Sequence, residues 1–225
     1  MKKVLMIFGA GGALGSGCTK VLTQKDYNKI YLFDSKTIQT SGEKVEFIQT
    51  GDLSNEENVI SVFKKIEFDK TARYYLFSTI GGFAGGNDIS ETSLEEFQKM
   101  LTLNLNISFL IAKHFVKFAS GSFGGTICFT SAMTSLSPAV NKLAYGLSKN
   151  GLNYLVKTFV KENKKNNISA NAIAPLVLDT PANREWVEDL SITVKPEDVG
   201  ELIYAIFENS RIISGNIIEL PGTLN

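Results

Sequence analysis

Tyr145 and Lys149 stand four residues apart in "YGLSK". On a helix that spacing brings both side chains to one face. A free phenol titrates at about 10, and a neighbouring ammonium favours its phenolate. The pair is therefore expected to lower the Tyr145 pKa, so that Tyr145 gives and takes a proton near neutral pH as the general acid of a reductase. A Tyr/Lys pair at this spacing is also common on exposed helices, so its meaning depends on what surrounds it.

A second chemical signal is "FGAGGALGSG" (8–17), which follows an apolar run and opens a helical pattern. A strand–loop–helix of this kind turns tightly, approaches a pyrophosphate closely and aims helix N–H groups at it. Gly9 and Gly15 are the candidates for the turn and the close approach; the plain alternative is a flexible turn. Asp34 closes the second apolar run about 20 residues later, where a carboxylate accepts the ribose hydroxyls. It repels a 2′-phosphate, which favours NAD(H), while Lys36 keeps NADP(H) open. Asp52 in "TGDLS" closes the third run, and either faces the adenine or caps the next helix.

The elements that position these residues alternate. Strands are expected at 3–8, 29–34, 44–52, 73–80, 125–131, 168–175 and 215–220, from continuous apolar character. Helical periodicity follows the glycine loop (Leu14, Cys18, Val21, Leu22). It returns after Ser54, where Glu57 would complete a capping box, and runs on from Ser93 to Ala119. It recurs over 145–163 (Leu152, Leu155, Val156, Phe159, Val160) and 196–209. The connection at 35–43 is too short for a crossover helix. Alternation of this kind implies an α/β fold. We expect one domain over 1–225, a Rossmann-type doubly wound parallel sheet of about seven strands with helices on both faces.

Lys+Arg and Asp+Glu both number 23 in 225 residues, with neither a basic stripe nor an acidic block. Nucleic acid and anionic membranes are therefore poor partners. The N-terminal apolar run ends in glycines, as a buried strand does and a signal peptide does not. No segment reaches transmembrane length. His114, the sole histidine, excludes a His-based triad and a His-rich zinc site, and is expected to pack or lie at the surface. Cys18 and Cys128 are too few for a Cys-rich metal site and read as buried thiols in a reducing cytoplasm.

Taken together, these motifs resemble the short-chain dehydrogenase/reductase family from residue 3 to about 222. The carriers are the Gly9–Gly15 loop with Ala13 at its middle, "LNLNISF", "YGLSK", "NAIAPLVLDTP" with Leu176 for a usual glycine, and "SGNIIELPG". The resemblance implies catalytic roles for Tyr145, Lys149 and Asn104. It implies cofactor contacts at Gly9, Gly12, Ala13, Leu14 and Gly15, at Asp34, Asp52, Leu53 and Gly81, and at Lys149, Pro175 and Thr180. Family members often form dimers or tetramers; the helices near 93–119 and 145–161 are the expected interface.

Ala132 stands where the family places a serine. Ser131 faces the other side of its strand, whereas Thr134, Ser135 or a water can substitute. "GALGS", "GGFAGGN" (81–87), Ala132, "YGLSKNG" and "LVLDTPANR" (176–184) together resemble quinonoid dihydropteridine reductases, whose substrate builds no localised alkoxide. Phe83 would stack a flat heterocycle or simply fill the core. Asn183 and Arg184 would bind substrate from a flap that also carries Trp186, which would cover the site or pack inward. A salt-bridging Arg184 is the plainer alternative. Two further readings stay open: a general carbonyl or 3-oxoacyl reductase, favoured by Asn104, and a dinucleotide sensor without chemistry.

Overall fold

The computed structural model describes residues 1–223. Strands β1 (Lys2–Phe8), β2 (Lys29–Asp34), β3 (Val45–Gln49), β4 (Ala72–Ser78), β5 (Gly125–Thr130) and β6 (Ile168–Pro175) build a parallel sheet with the late strand β9 (Ile217–Leu220). Its order is β3-β2-β1-β4-β5-β6-β9. β1 pairs on both sides, Phe8 lying beside Phe33 of β2 and Ser78 of β4. The chain reverses its direction of winding between β1 and β4, and a parallel α/β sheet binds ligands at such a point.

Continuous apolar strands are explained by two cores. Val4, Met6 and Phe8 point into one, and Leu5 and Ile7 into the other. The first is covered by α2 (Glu56–Lys64), α4 (Ile107–Ala119) and α5 (Leu143–Asn163), which contribute Val59, Phe63, Ile111, Phe115, Val156 and Phe159. The second is covered by α1 (Ala13–Leu22) and the late helix α7 (Pro196–Glu208), through Leu14, Cys18, Val199, Ile203 and Phe207. Each such side chain, fully buried, contributes roughly 1.5–3 kcal/mol. Both cysteines are free and buried, as expected. His114 is buried too, its Nε2 2.7 Å from Glu56 Oε1.

The 35–44 connection carries no helix, as its length predicts. Three features differ from expectation. The cap of α2 is Asn55, whose side chain accepts the Glu57 N–H at 2.9 Å. Ser54 lies one residue too early and instead donates its N–H to Asp52 Oδ1 at 2.9 Å. The long pattern from Ser93 is α3 (Leu94–Leu101), capped by Ser93, then a π-helical turn (Thr102–Asn106) running into α4. Beyond β6 the chain forms β7 (Val177–Leu178), the short α6 (Pro181–Arg184) and β8 (Thr193–Val194), a small second sheet that overhangs the strand ends.

Candidate active site

The glycine loop closes on itself at the end of β1. Gly9 has φ +79°, and a Cβ on Gly15 would lie 2.0 Å from the Gly9 carbonyl. Gly12 caps α1 without a side-chain acceptor, and no acidic residue stands in the first turn. The first helical N–H groups, from Ala13 and Leu14 on, are therefore open to an anion at the positive end of the helix dipole. Asp34 turns back onto this loop: Oδ2 accepts the Gly11 N–H at 2.9 Å and Oδ1 the Lys36 N–H at 3.0 Å. Carboxylate oxygens accept more than one bond each, so both retain capacity for ribose hydroxyls. A cleft of about 830 Å³ opens beside Asp34, between α1 and 36–41. These residues fit a nicotinamide dinucleotide: a glycine cradle, an uncapped helix end and a carboxylate at the ribose position.

A second cavity, of about 380 Å³, lies across the switch point. Leu14, Gly81, Phe83, Ala132, Tyr145, Lys149, Pro175, Asn183 and Trp186 are in its wall, so the structure brings part of the expected site together from five separate stretches of chain. Lys149 is 3% exposed and donates from Nζ to the Thr130 carbonyl at 2.7 Å. Burial lowers its pKa from 10.5 to about 8. Tyr145 departs from expectation. Lys149 Nζ lies 5.9 Å from its ring centroid, and burial pushes the phenol up to about 12 rather than down. Desolvation outweighs the ammonium at that distance, and Tyr145 is a protonated donor at neutral pH. Phe83 is 61% exposed, so it is not a core residue; its ring meets Tyr145 edge-on at 5.0 Å.

Asn104 is not in the cavity wall. The π turn aims its fully buried amide at Gly82, accepting the Gly82 N–H and donating to the Gly82 carbonyl, both at 3.0 Å. A further N–H reaches Ser148 Oγ at 3.0 Å. Asn104 thus positions the loop under Phe83. A Cβ on Gly81 would lie 2.7 Å from Asn104 Oδ1 and 2.9 Å from Lys149 Nζ, so a larger residue there would displace one of these side chains.

Four other candidate residues make their contacts within the fold. Arg184 does not line the cavity; its Nε and Nη2 clasp Asp179 at 2.5 and 2.9 Å, because that carboxylate lies five residues back on the same flap. The Thr180 hydroxyl caps α6 by accepting the Asn183 N–H at 3.3 Å. Leu53 packs in the core with Phe33 and Ile48, and Asp52 is exposed and makes the turn before α2. Thr79 belongs to none of the sequence motifs. Its hydroxyl bonds the Gly9 carbonyl at 2.9 Å, pinning the glycine loop to β4, and only its place at a strand end hints at that.

With this geometry in view, the comparisons with known proteins agree. The family description that fits is "short chain dehydrogenase", matched over residues 3–191. A dihydropteridine reductase of Dictyostelium discoideum is 26% identical over 225 residues, covering 97% of this chain and 94% of that one. Carbonyl reductase family member 4 of Xenopus laevis is 26% identical over 236 residues, covering 100% and 98%. Among solved structures, that titled "ElxO with NADP Bound" superposes with a TM-score of 0.85 at 22% identity, covering 97% of each chain.

Proposed function

The chain belongs to the short-chain dehydrogenase family, as an NAD(P)-dependent oxidoreductase, and from that premise we propose an NADH-preferring reductase of a quinonoid dihydropterin or similar flat, conjugated substrate. One observation carries the reading: Tyr145 and Lys149 face a cavity with aromatic rings, Phe83 and Trp186, in its wall. The relative named dihydropteridine reductase supports it.

A nicotinamide bound at the switch point supplies the hydride. Tyr145 donates its phenolic proton to a substrate heteroatom, and the Lys149 ammonium stabilises the phenolate left behind. Lys149 would also hold the nicotinamide ribose, beside Gly81 and Pro175. Phe83 stacks or edges the substrate ring, and Asn183 bonds it from the flap. Asp34 favours NADH over NADPH, since a 2′-phosphate would meet its carboxylate.

Purified protein assayed with quinonoid dihydropterin and NADH should turn over, and Tyr145→Phe should lose at least about a hundredfold. Good turnover of ketones with none of the pterin would sink the substrate assignment. That outcome would favour the second reading, a carbonyl reductase, which the Xenopus relative's name supports. The assembly we propose is a homodimer through α4 and α5, whose outer faces expose Phe109, Leu147 and Tyr154.

A further inference from the structure

Ala132 offers no hydrogen bond where charge develops on the substrate. Four hydroxyls lie within three residues of it, and the structure separates them: that of Thr130 is committed, donating to the Ser78 carbonyl at 3.0 Å. Ser131 points away into α5, donating to Asn153 Oδ1 at 2.6 Å. Ser135 donates to the Ala132 carbonyl at 2.6 Å and accepts from Asn153 Nδ2 at 2.7 Å. Both are committed. Thr134 is in the cavity wall, and its Oγ1 is buried with no hydrogen-bond partner. Among the described residues it is the only such atom belonging to a residue of the Tyr145 cavity.

The backbone that carries Thr134 is fixed. Met133–Ser135 form a 3₁₀ turn, closed by Ser135 N–H to Ala132 O at 3.0 Å and Leu136 N–H to Met133 O at 2.9 Å. Asn150 Nδ2 ties the Ser135 carbonyl to α5 at 2.9 Å. The Thr134 carbonyl lies against Gly146, 3.2 Å from where a Cβ would stand. Residue 134 is thereby held beside the neighbour of Tyr145. One step about χ1 carries its hydroxyl into the position now held by the methyl group or by the β-hydrogen, and a buried hydroxyl without a partner gains from any acceptor it meets.

We propose that the Thr134 hydroxyl is the second hydrogen-bond donor to the reacting end of the substrate, in the role that Ala132 cannot fill. The inference rests on the reductase reading above. In the step, the substrate's electrophilic atom gains a hydride and the dihydronicotinamide is oxidised. The Tyr145 O–H bond breaks and the substrate heteroatom gains the proton. Thr134 holds the developing charge and transfers no proton.

The test compares Thr134→Val, Thr134→Ser, the double variant Ala132→Ser with Thr134→Val, and Tyr145→Phe, each as full chain with NADH and the accepted substrate. Thr134→Val should lower kcat by about tenfold to a hundredfold, with the KM for NADH unchanged and a melting temperature no lower than wild type. Thr134→Ser should keep most of the rate, and the double variant should recover most of what valine lost. Thr134→Val at the wild-type rate, beside an inactive Tyr145→Phe, overturns the inference and leaves the reductase standing. A loss that neither serine relieves, or one that follows a lower melting temperature, also overturns it. Wild-type protein inactive on every ketone and quinonoid compound removes the reductase reading, and this inference with it.

Discussion

The Lys149 ammonium has given up nearly all its water, and its Nζ donates to the Thr130 carbonyl. Between about pH 8 and 10.5 the unfolded chain keeps a proton that the folded chain has released. Stability therefore rises with pH across that window; below it both states are charged and the burial cost of about 3 kcal/mol stands in full. Lys149→Met should raise the thermal stability of the cofactor-free protein at pH 7 and abolish the rise toward pH 10. Melting curves with a variant less stable than wild type at pH 7 would contradict this. The rate has the opposite sign. On the proposed mechanism reduction needs the ammonium beside the nascent phenolate, so kcat/KM should fall as pH climbs through about 8, while Tyr145, pushed up to about 12, stays protonated. The Tyr145–Lys149 pairing is legible in their spacing. The direction of the Tyr145 shift is not, because it depends on burial and on a distance that only the fold sets. Arg184 is similar: Asp179 is visible five residues away, but not which of two partners wins.

The elements around the site are held together by close backbone approaches, and these make discriminating tests. A Cβ on Gly15 would collide with the Gly9 carbonyl at 2.0 Å, whereas one on Gly12 would meet the same atom at 3.4 Å, an ordinary contact. Gly15→Ala should therefore cost about 1–3 kcal/mol or more and abolish NADH binding, while Gly12→Ala should fold with nearly wild-type stability. Urea unfolding and NADH fluorescence titration would check both; equal effects would mean that the loop is pliable. The helix around Asn104 teaches a different lesson. Its 3.6-residue periodicity is plain from Ser93 onward, yet the π turn that swings Asn104 inward leaves no mark on the apolar pattern. Such turns often sit at functional sites. The Gly82 bonds are what the distortion achieves. Asn55 and Ser54 show the limit at finer scale, since two adjacent polar residues compete for one cap and only geometry decides.

Across the whole molecule, strand–helix alternation and fully apolar strands are enough to give the two-sided sheet. The flap's second sheet escapes such a reading because two-residue strands carry no period. The placement of the site follows from topology: β1 and β4 diverge in winding and leave their loops facing across a cleft. That cleft opens at the strand ends, away from the outer face of α4 and α5. On α5, Leu147, Gly151 and Tyr154 follow one another at helical spacing; a Gly151 Cβ would touch Leu105 at 2.9 Å, and Phe109 comes four residues after Leu105. Phe109 and Tyr154 are 49% and 74% exposed. A large apolar stripe across two packed helices calls for a partner, and a two-fold axis through it would bury each copy's stripe on the other's. Phe109→Glu with Tyr154→Glu should then yield monomers by light scattering at micromolar concentration, where the wild type should be dimeric. NADH binding should survive, because none of these residues lines either cavity. A monomeric wild type at those concentrations would remove the stripe's proposed role.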